Sequence, residues 1–433
     1  MTRTPDVKLS KTLRDQYTQI LEDELKVATG CTEPIAIAYC AAVAANALNA
    51  PIRRILVACS GNVIKNTKAV TVPNTGGLRG IKAAALAGAL YGDPEKELDV
   101  LADISPQETQ TLKESLKTIQ ILVSHLRSGH PLHIIVTCYS AHEKACAEIR
   151  DTHTRVIAIN RNDSPVHNGR VQAEHDHTVE KTDRSVLNIR DILSFARAVD
   201  LADIEKVLRK QIRYNTAISE AGLRDKWGSQ VGRTLLETDG RCERTMLSAG
   251  AAAGSDARMN GCPMPVVINS GSGNQGMTAS LPVIQRAFQL NSSEEMLLRA
   301  LAISNLLAIH QKTGIGRMSA YCGAVCAATG SAAGIAFLEG ASDRVIEQTV
   351  SNSISITGGM LCDGAKSSCA AKIVIAVDGA LLAYDLARKE CSFLAGEGVV
   401  KKNVEETVSG MGRIACEGMH KTDEVMLDHI LGE

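Results

Sequence analysis

The chain has 433 residues with a formal net charge of −1; 45% of them are hydrophobic, 22% charged and only 3% aromatic. That length supports two or three domains around a large core, and Lys and Arg are spread along the chain without a basic tract, which gives a nucleic-acid partner no support. Abundant Gly and Ala with few aromatics predict tightly packed, Ala-rich helices, not an aromatic-rich β-sandwich.

In chain order, residues 10–29 read as an amphipathic helix with Ser10 as N-cap and Gly30 as its stop signal. Cys31-Thr-Glu-Pro34 opens a second helix that ends near Ala50, with Cys31 or Thr32 at its cap and Pro34 in its first turn. Arg54–Cys59 and Ala69–Val72 read as short strands, Pro73–Gly77 as a turn, and the following Ala-rich run as a helix through about Tyr91. The composition shifts between 92 and 186, where Leu132–Cys138, Ala145–Arg150 and Arg155–Ile159 suggest strands and Asp151–Thr154 a hairpin turn. The segment around Cys146 fits a helix equally well, and 162–183 reads as a loop. From about 187 onward the pattern is helical again, with Gly-rich breaks. The expected architecture is therefore α+β: a mainly helical catalytic body built from 1–91 and 187–433, with a smaller α+β insertion at 92–186.

The opening residues lead into polar, helix-like sequence and not into an apolar signal segment. No apolar run of ~18 residues suggests a membrane span. A cytoplasmic protein is expected. In that reducing setting the thirteen cysteines do not form a disulfide framework; most would be small buried hydrophobes, and a few ligands or nucleophiles.

Three cysteines stand beside glycine-containing turns or their flanks: Cys322 in Gly314–Gly323, Cys362 in Gly358–Gly364, and Cys369 in Ala365–Cys369. Such turns let backbone approach a bulky inorganic cluster and donate N–H groups to its sulfides. Three thiolates on a cubane leave one iron open to act as a Lewis acid. The spacing is neither the ferredoxin run nor the paired pattern of zinc sites, so by itself it leaves buried structural cysteines as the alternative. Cys31 immediately precedes a helix, where dipole and free N–H groups lower a thiol's pKa, which suits a base.

The motifs Ala28–Pro34, Val72–Gly77, Asn269–Gly276, Ile315–Gly323 and Gly358–Cys369, in this order, resemble the iron–sulfur L-cysteine desulfidase family, which is related to the alpha (catalytic) chain of iron–sulfur L-serine dehydratases. The resemblance runs over nearly the whole chain. It implies a [4Fe–4S] cluster held by Cys322, Cys362 and Cys369, with Cys31 in the active site as a base or alternative ligand. It also implies conversion of L-cysteine to pyruvate, hydrogen sulfide and ammonia. The serine dehydratases carry a C-terminal cysteine that plugs the open iron, whereas this sequence ends Met426–Glu433 without one; that difference favours the desulfidase branch, and the remaining nine cysteines are expected to be structural. Among these, Cys326 lies one helical turn after Cys322 and is the one expected to come near a cluster.

β-Elimination requires removal of the Cα proton and stabilisation of the leaving group. Asn74, Thr75 and Gly76 form a polar turn suited to gripping a substrate carboxylate, though such residues also make ordinary turns. Ser270, Ser272, Asn274 and Gln275 line a second such loop. Arg317 and Lys366 are further carboxylate anchors, or else solvated charges. Thr32 and Glu33 read as capping residues, Asp363 as a turn stabiliser and His310 as a satisfied core histidine. His175 and His177 fit a polar loop better than a metal site. The expected partner is a small amino acid, with no nucleic acid and no membrane, and a homo-oligomer is compatible with the sequence. Rival functions are an iron–sulfur L-serine or L-threonine dehydratase, a non-catalytic iron–sulfur redox sensor, which would need an effector surface, and a pyridoxal phosphate lyase, for which no phosphate-binding setting stands out.

Overall fold

The computed structural model describes residues 9–166, 171, 182–316 and 318–432. The fold is mainly helical α+β, as the composition and periodicity predict. Ser10 caps the first helix, Lys11–Glu24, by accepting a hydrogen bond from the Leu13 N–H. The helix does not continue to Gly30. Val27–Thr29 instead forms strand β1, drawn out by antiparallel pairing with a distant strand near residue 265. A β-favouring Val-Ala-Thr segment with a partner outweighs little more than one further helical turn.

The larger sheet comprises β2 (Arg54–Cys59), β3 (Gln120–His125), β4 (His133–Tyr139), β5 (Lys144–Arg150), β6 (Val156–Arg161) and β7 (Ser164–Pro165), in the order β3-β2-β4-β5-β6-β7. The β2–β3 pair is parallel and the others antiparallel. The Cys146 segment is therefore strand, and Asp151, at φ 68°, sits in the turn that joins β5 to β6. Ala69–Val72 contributes only the isolated bridge Thr71–Arg79. Alternate residues of β2, β4 and β5 are buried, and the helices Thr32–Leu48 and Gly80–Tyr91 belong to the same core as those residues. These two helices touch through backbone: a Cβ on Gly88 would fall 2.0 Å from the Ala38 carbonyl oxygen. Small residues were the sequence signal for that approach.

A second core unites the first helix and β1 with residues from Leu187 to Ala415. Strand β8 (Pro265–Val267) closes this body by pairing with β1. The packing division thus falls near residue 30, not at 91 as the composition shift suggested. The reason is that β2 is an interior strand of the sheet, flanked by β3 and β4. Its covering helices come from the 32–91 stretch, so the described residues of 92–166 share one core with that stretch. Among the described residues no helix is long and apolar enough to cross a membrane.

Candidate active site

A cavity of about 910 Å³ lies between the two cores. The sheet unit lends it Cys31, Glu33, Lys65 and Asn66, and the helical body lends Arg258, Lys312 and the loop Ser270–Gln275. Cys322, Cys362 and Cys369 line it as well. The C-terminal segment closes one side through Cys416, Met419, Asp423 and Leu427.

The three C-terminal cysteines are positioned by backbone. Cys322 precedes the helix Gly323–Leu338, and Cys369 begins the helix Cys369–Arg388. Between them, the loops bearing Cys322 and Cys362 are zipped by an antiparallel bridge, Tyr321–Leu361. The Cys322 N–H donates to the Met360 carbonyl at 2.9 Å and the Cys362 N–H to the Ala320 carbonyl at 2.6 Å. Gly364, two residues on, has φ 98°, and a Cβ there would meet the Lys65 carbonyl oxygen at 2.2 Å. Glycine is required at that position both for its backbone angle and for the close approach.

The electrostatics of this wall favour a thiolate. A hydrogen bond from Cys322 holds the Cys362 thiol well below the usual thiol range, against the opposing effect of burial. The Lys65 ammonium, the Gly364 N–H and the Lys312 ammonium lower it further. The same interaction, with burial, raises Cys322. Lys65 is paired with Asp423 at 2.6 Å. Burial pushes the Lys312 ammonium down, while the neighbouring cysteines Cys326, Cys362 and Cys322 oppose that shift. One thiolate shared between two sulfurs, flanked by two buried lysines, is a soft anionic donor set.

Among the described residues no three His, Cys, Asp or Glu side chains converge where a single metal ion would bind. A cubane makes a different demand, because each ligand holds a different iron. Three thiols around one open cavity, with cations behind them, fit that group.

Cys31 faces the same cavity from a contrasting environment. It is 2% exposed, and its thiol donates to Glu33 Oε2 at 3.2 Å. Glu33 is itself held by the Asn66 side-chain amide at 2.9 Å, and the Thr32 hydroxyl stands 3.1 Å from its Oε2. Burial pushes the Cys31 thiol well up and the Glu33 carboxylate adds to the rise, while the Arg258 guanidinium opposes it. The helix-start position had suggested a lowered value. Desolvation and a neighbouring anion reverse that sign. The arrangement is a protonated thiol whose proton points at a buried carboxylate.

Other sequence-predicted residues divide clearly. Ser272 and Asn274 line the cavity, with Asn274 Oδ1 accepting from Arg258 Nη1 at 3.2 Å. Asn74, Thr75 and Gly76 lie outside the lining. The Asn74 amide binds the Leu101 carbonyl at 3.0 Å, the buried Thr75 hydroxyl binds the Val72 carbonyl at 2.7 Å, and Gly76 sits under Thr109 and Lys113. Their hydrogen bonds are consumed in holding the turn. Lys366 is also outside the lining, ion-paired with Asp363 and donating to the Gly364 carbonyl. Arg317, His175 and His177 lie outside the described residues. Cys326 is wholly buried in its helix and does not line the cavity. His310 pairs with Glu405 at 2.7 Å, as a satisfied histidine should. Sequence reasoning missed Glu33, Lys65, Lys312, Arg258 and the cavity-facing position of Cys416. An unpaired Arg or Lys on an otherwise apolar helical stretch was the only available signal, at Arg258 and Lys312.

Relatives align with nearly the whole chain. A UPF0597 protein of Desulfitobacterium hafniense is 44% identical over 418 residues, covering 96% of each chain. One from Lachnoclostridium phytofermentans is 46% identical over 412 residues, covering 95% of this chain and 98% of its own. A UPF0597 protein of Treponema denticola is 42% identical over 430 residues, covering 98% of this chain and all of its own. The family model described as serine dehydratase alpha chain matches residues 95–428, which include Cys322, Cys362 and Cys369. The chain belongs to the serine dehydratase alpha-chain family.

Proposed function

We propose that the protein is a [4Fe–4S]-dependent β-elimination lyase that converts L-cysteine to pyruvate, hydrogen sulfide and ammonia. One observation carries this reading: Cys31, Cys322, Cys362 and Cys369, from opposite ends of the chain, line one cavity. Cys322, Cys362 and Cys369 would hold the cluster. When bound, it supplies a Lewis-acidic iron for the leaving group.

The protein's own residues account for the proton chemistry. The Cys31 thiol proton passes to Glu33 Oε2, along the existing 3.2 Å hydrogen bond. The thiolate so formed takes the Cα proton, and the β-sulfur departs with the bonding electron pair. Arg258 stabilises negative charge on Cys31 during that transfer. The aminoacrylate product tautomerises to an imine, and water hydrolyses it to pyruvate and ammonia.

The family's serine dehydratase description favours L-serine as a second reading. The soft thiolate of cysteine binds iron more tightly than a hydroxyl, and the five motifs above resemble the desulfidase branch, so cysteine is preferred. The test is anaerobic purification, iron and acid-labile sulfide counts, then sulfide and pyruvate release from cysteine beside pyruvate release from serine. Cluster-loaded protein that releases pyruvate from serine but no sulfide from cysteine would overturn the substrate; protein without iron would overturn the cofactor.

A further inference from the structure

Among the described residues, the cavity wall holds a buried donor, Arg258 Nε, and a buried acceptor, Gln275 Oε1, that have no hydrogen-bond partner, as is also true of Asn62 Oδ1 and His125 Nδ1. Arg258 is 2% exposed and Gln275 6% exposed, yet both line the cavity. A buried guanidinium ordinarily has a carboxylate beside it, because an unpaired buried charge is costly. Arg258 has no acidic partner among the described residues; its Nη1 donates to the neutral Asn274 side-chain amide. A buried orphan carbonyl carries the corresponding penalty.

The backbone has been shaped to admit both groups. A Cβ on Gly273 would fall 2.3 Å from Arg258 Nε, and one on Gly323 would fall 2.3 Å from Gln275 Cδ. Gly323 follows Cys322 directly. Arg258 precedes Met259, which packs against Cys31. The orphan donor therefore stands on the Cys31 side of the cavity and the orphan acceptor on the Cys322 side.

We propose that Arg258 and Gln275 together form a cradle for the two charged groups of an α-amino acid, with Arg258 taking the carboxylate and Gln275 the ammonium. This rests on the lyase reading for its location, and it adds what that reading leaves open: how the substrate is gripped and turned. A planar guanidinium suits a carboxylate, donating from two nitrogens at once. The amide oxygen accepts from an ammonium. With both ends fixed, Cα and its proton are carried to the Cys31 side and the β-substituent toward the cysteines that would hold the cluster.

The probes are L-alanine, which has both groups and no leaving group, propionate, which lacks the ammonium, and ethylamine, which lacks the carboxylate. Binding to anaerobically purified holoprotein is measured by calorimetry, without turnover. Arg258→Met should weaken L-alanine and propionate roughly tenfold to a hundredfold and leave ethylamine unchanged. Gln275→Met should weaken L-alanine and ethylamine and spare propionate. Loss of all three ligands alike, or of none, in either variant overturns the cradle. If Arg258→Met does not fold, Arg258→Lys and Gln275→Glu decide: the first keeps propionate binding with a smaller loss, and the second tightens ethylamine. Unchanged ethylamine binding in Gln275→Glu refutes the acceptor role. Because L-alanine cannot be eliminated, this pattern is independent of whether the enzyme expels a thiol or a hydroxyl.

Discussion

Cys31 and Cys362 face one cavity from opposite walls, and the protein treats their thiols in opposite ways. Around Cys362 stand Lys65, Lys312, a hydrogen bond from Cys322 and the Gly364 N–H, all of which stabilise a negative sulfur. Beside Cys31 stands a carboxylate, and burial raises the thiol further. A helix start follows Cys31 and none directly follows Cys362, the reverse of what a helix dipole would give, so local secondary structure does not explain the difference. On the proposed roles, what would separate a ligand from a proton carrier is the sign of the charges that tertiary packing brings alongside.

The comparison can be broken most severely at Cys362. Cys362→Ala removes the favoured thiolate, and anaerobically purified protein should lose its iron and all turnover; full iron content would end the ligand assignment. Cys31→Ala should instead keep iron and sulfide counts intact while turnover falls roughly a hundredfold to ten-thousandfold, the range expected for a lost general base. A smaller effect isolates the carboxylate. Glu33→Gln removes the anion that raises the Cys31 pKa, so the pH profile of Cys31 alkylation in cluster-free protein should move to lower pH. A shift upward would show that Glu33 does not act on Cys31 as drawn. Asp423→Asn leaves the buried Lys65 ammonium without its counter-charge. Unfolding free energy should drop by about 1–2 kcal/mol, less than for a fully buried pair because the Asp423 side chain is 21% exposed. Smallest for catalysis is Asn74→Ala, which loosens a turn remote from the cavity and should lower the melting temperature without raising KM.

Much of this was legible in the sequence because it is local. Ser10 caps its helix, Arg54–Cys59 is a strand with the expected ends, and the glycine-flanked cysteines of the C-terminal half meet in one wall. The failures are non-local. Val27–Thr29 left its helix for a partner at Pro265–Val267, and β2 was assigned to the wrong core because its neighbours lie more than sixty residues away, at Gln120–His125 and Tyr139. Lys65 drew no reading from the sequence, because its partner Asp423 comes from the far end of the chain. The sign of the Cys31 shift was misjudged for a similar reason: the helix dipole is visible in sequence, whereas desolvation is not. Glu33 was read as a cap residue because nothing in sequence shows that its carboxylate turns back toward Cys31, Thr32 and Asn66.

The bridge between Tyr321 and Leu361 bears on assembly. Two of the three sulfurs assigned to the cluster are registered by main-chain hydrogen bonds that need no iron. Much of the ordering entropy of gathering those ligands is therefore met by folding itself, unlike in small metal-nucleated domains that are unfolded without their ion. If the proposed cluster is present, a chain stripped of it by oxygen would keep its socket, and repair would be a matter of delivering iron and sulfide to a standing frame.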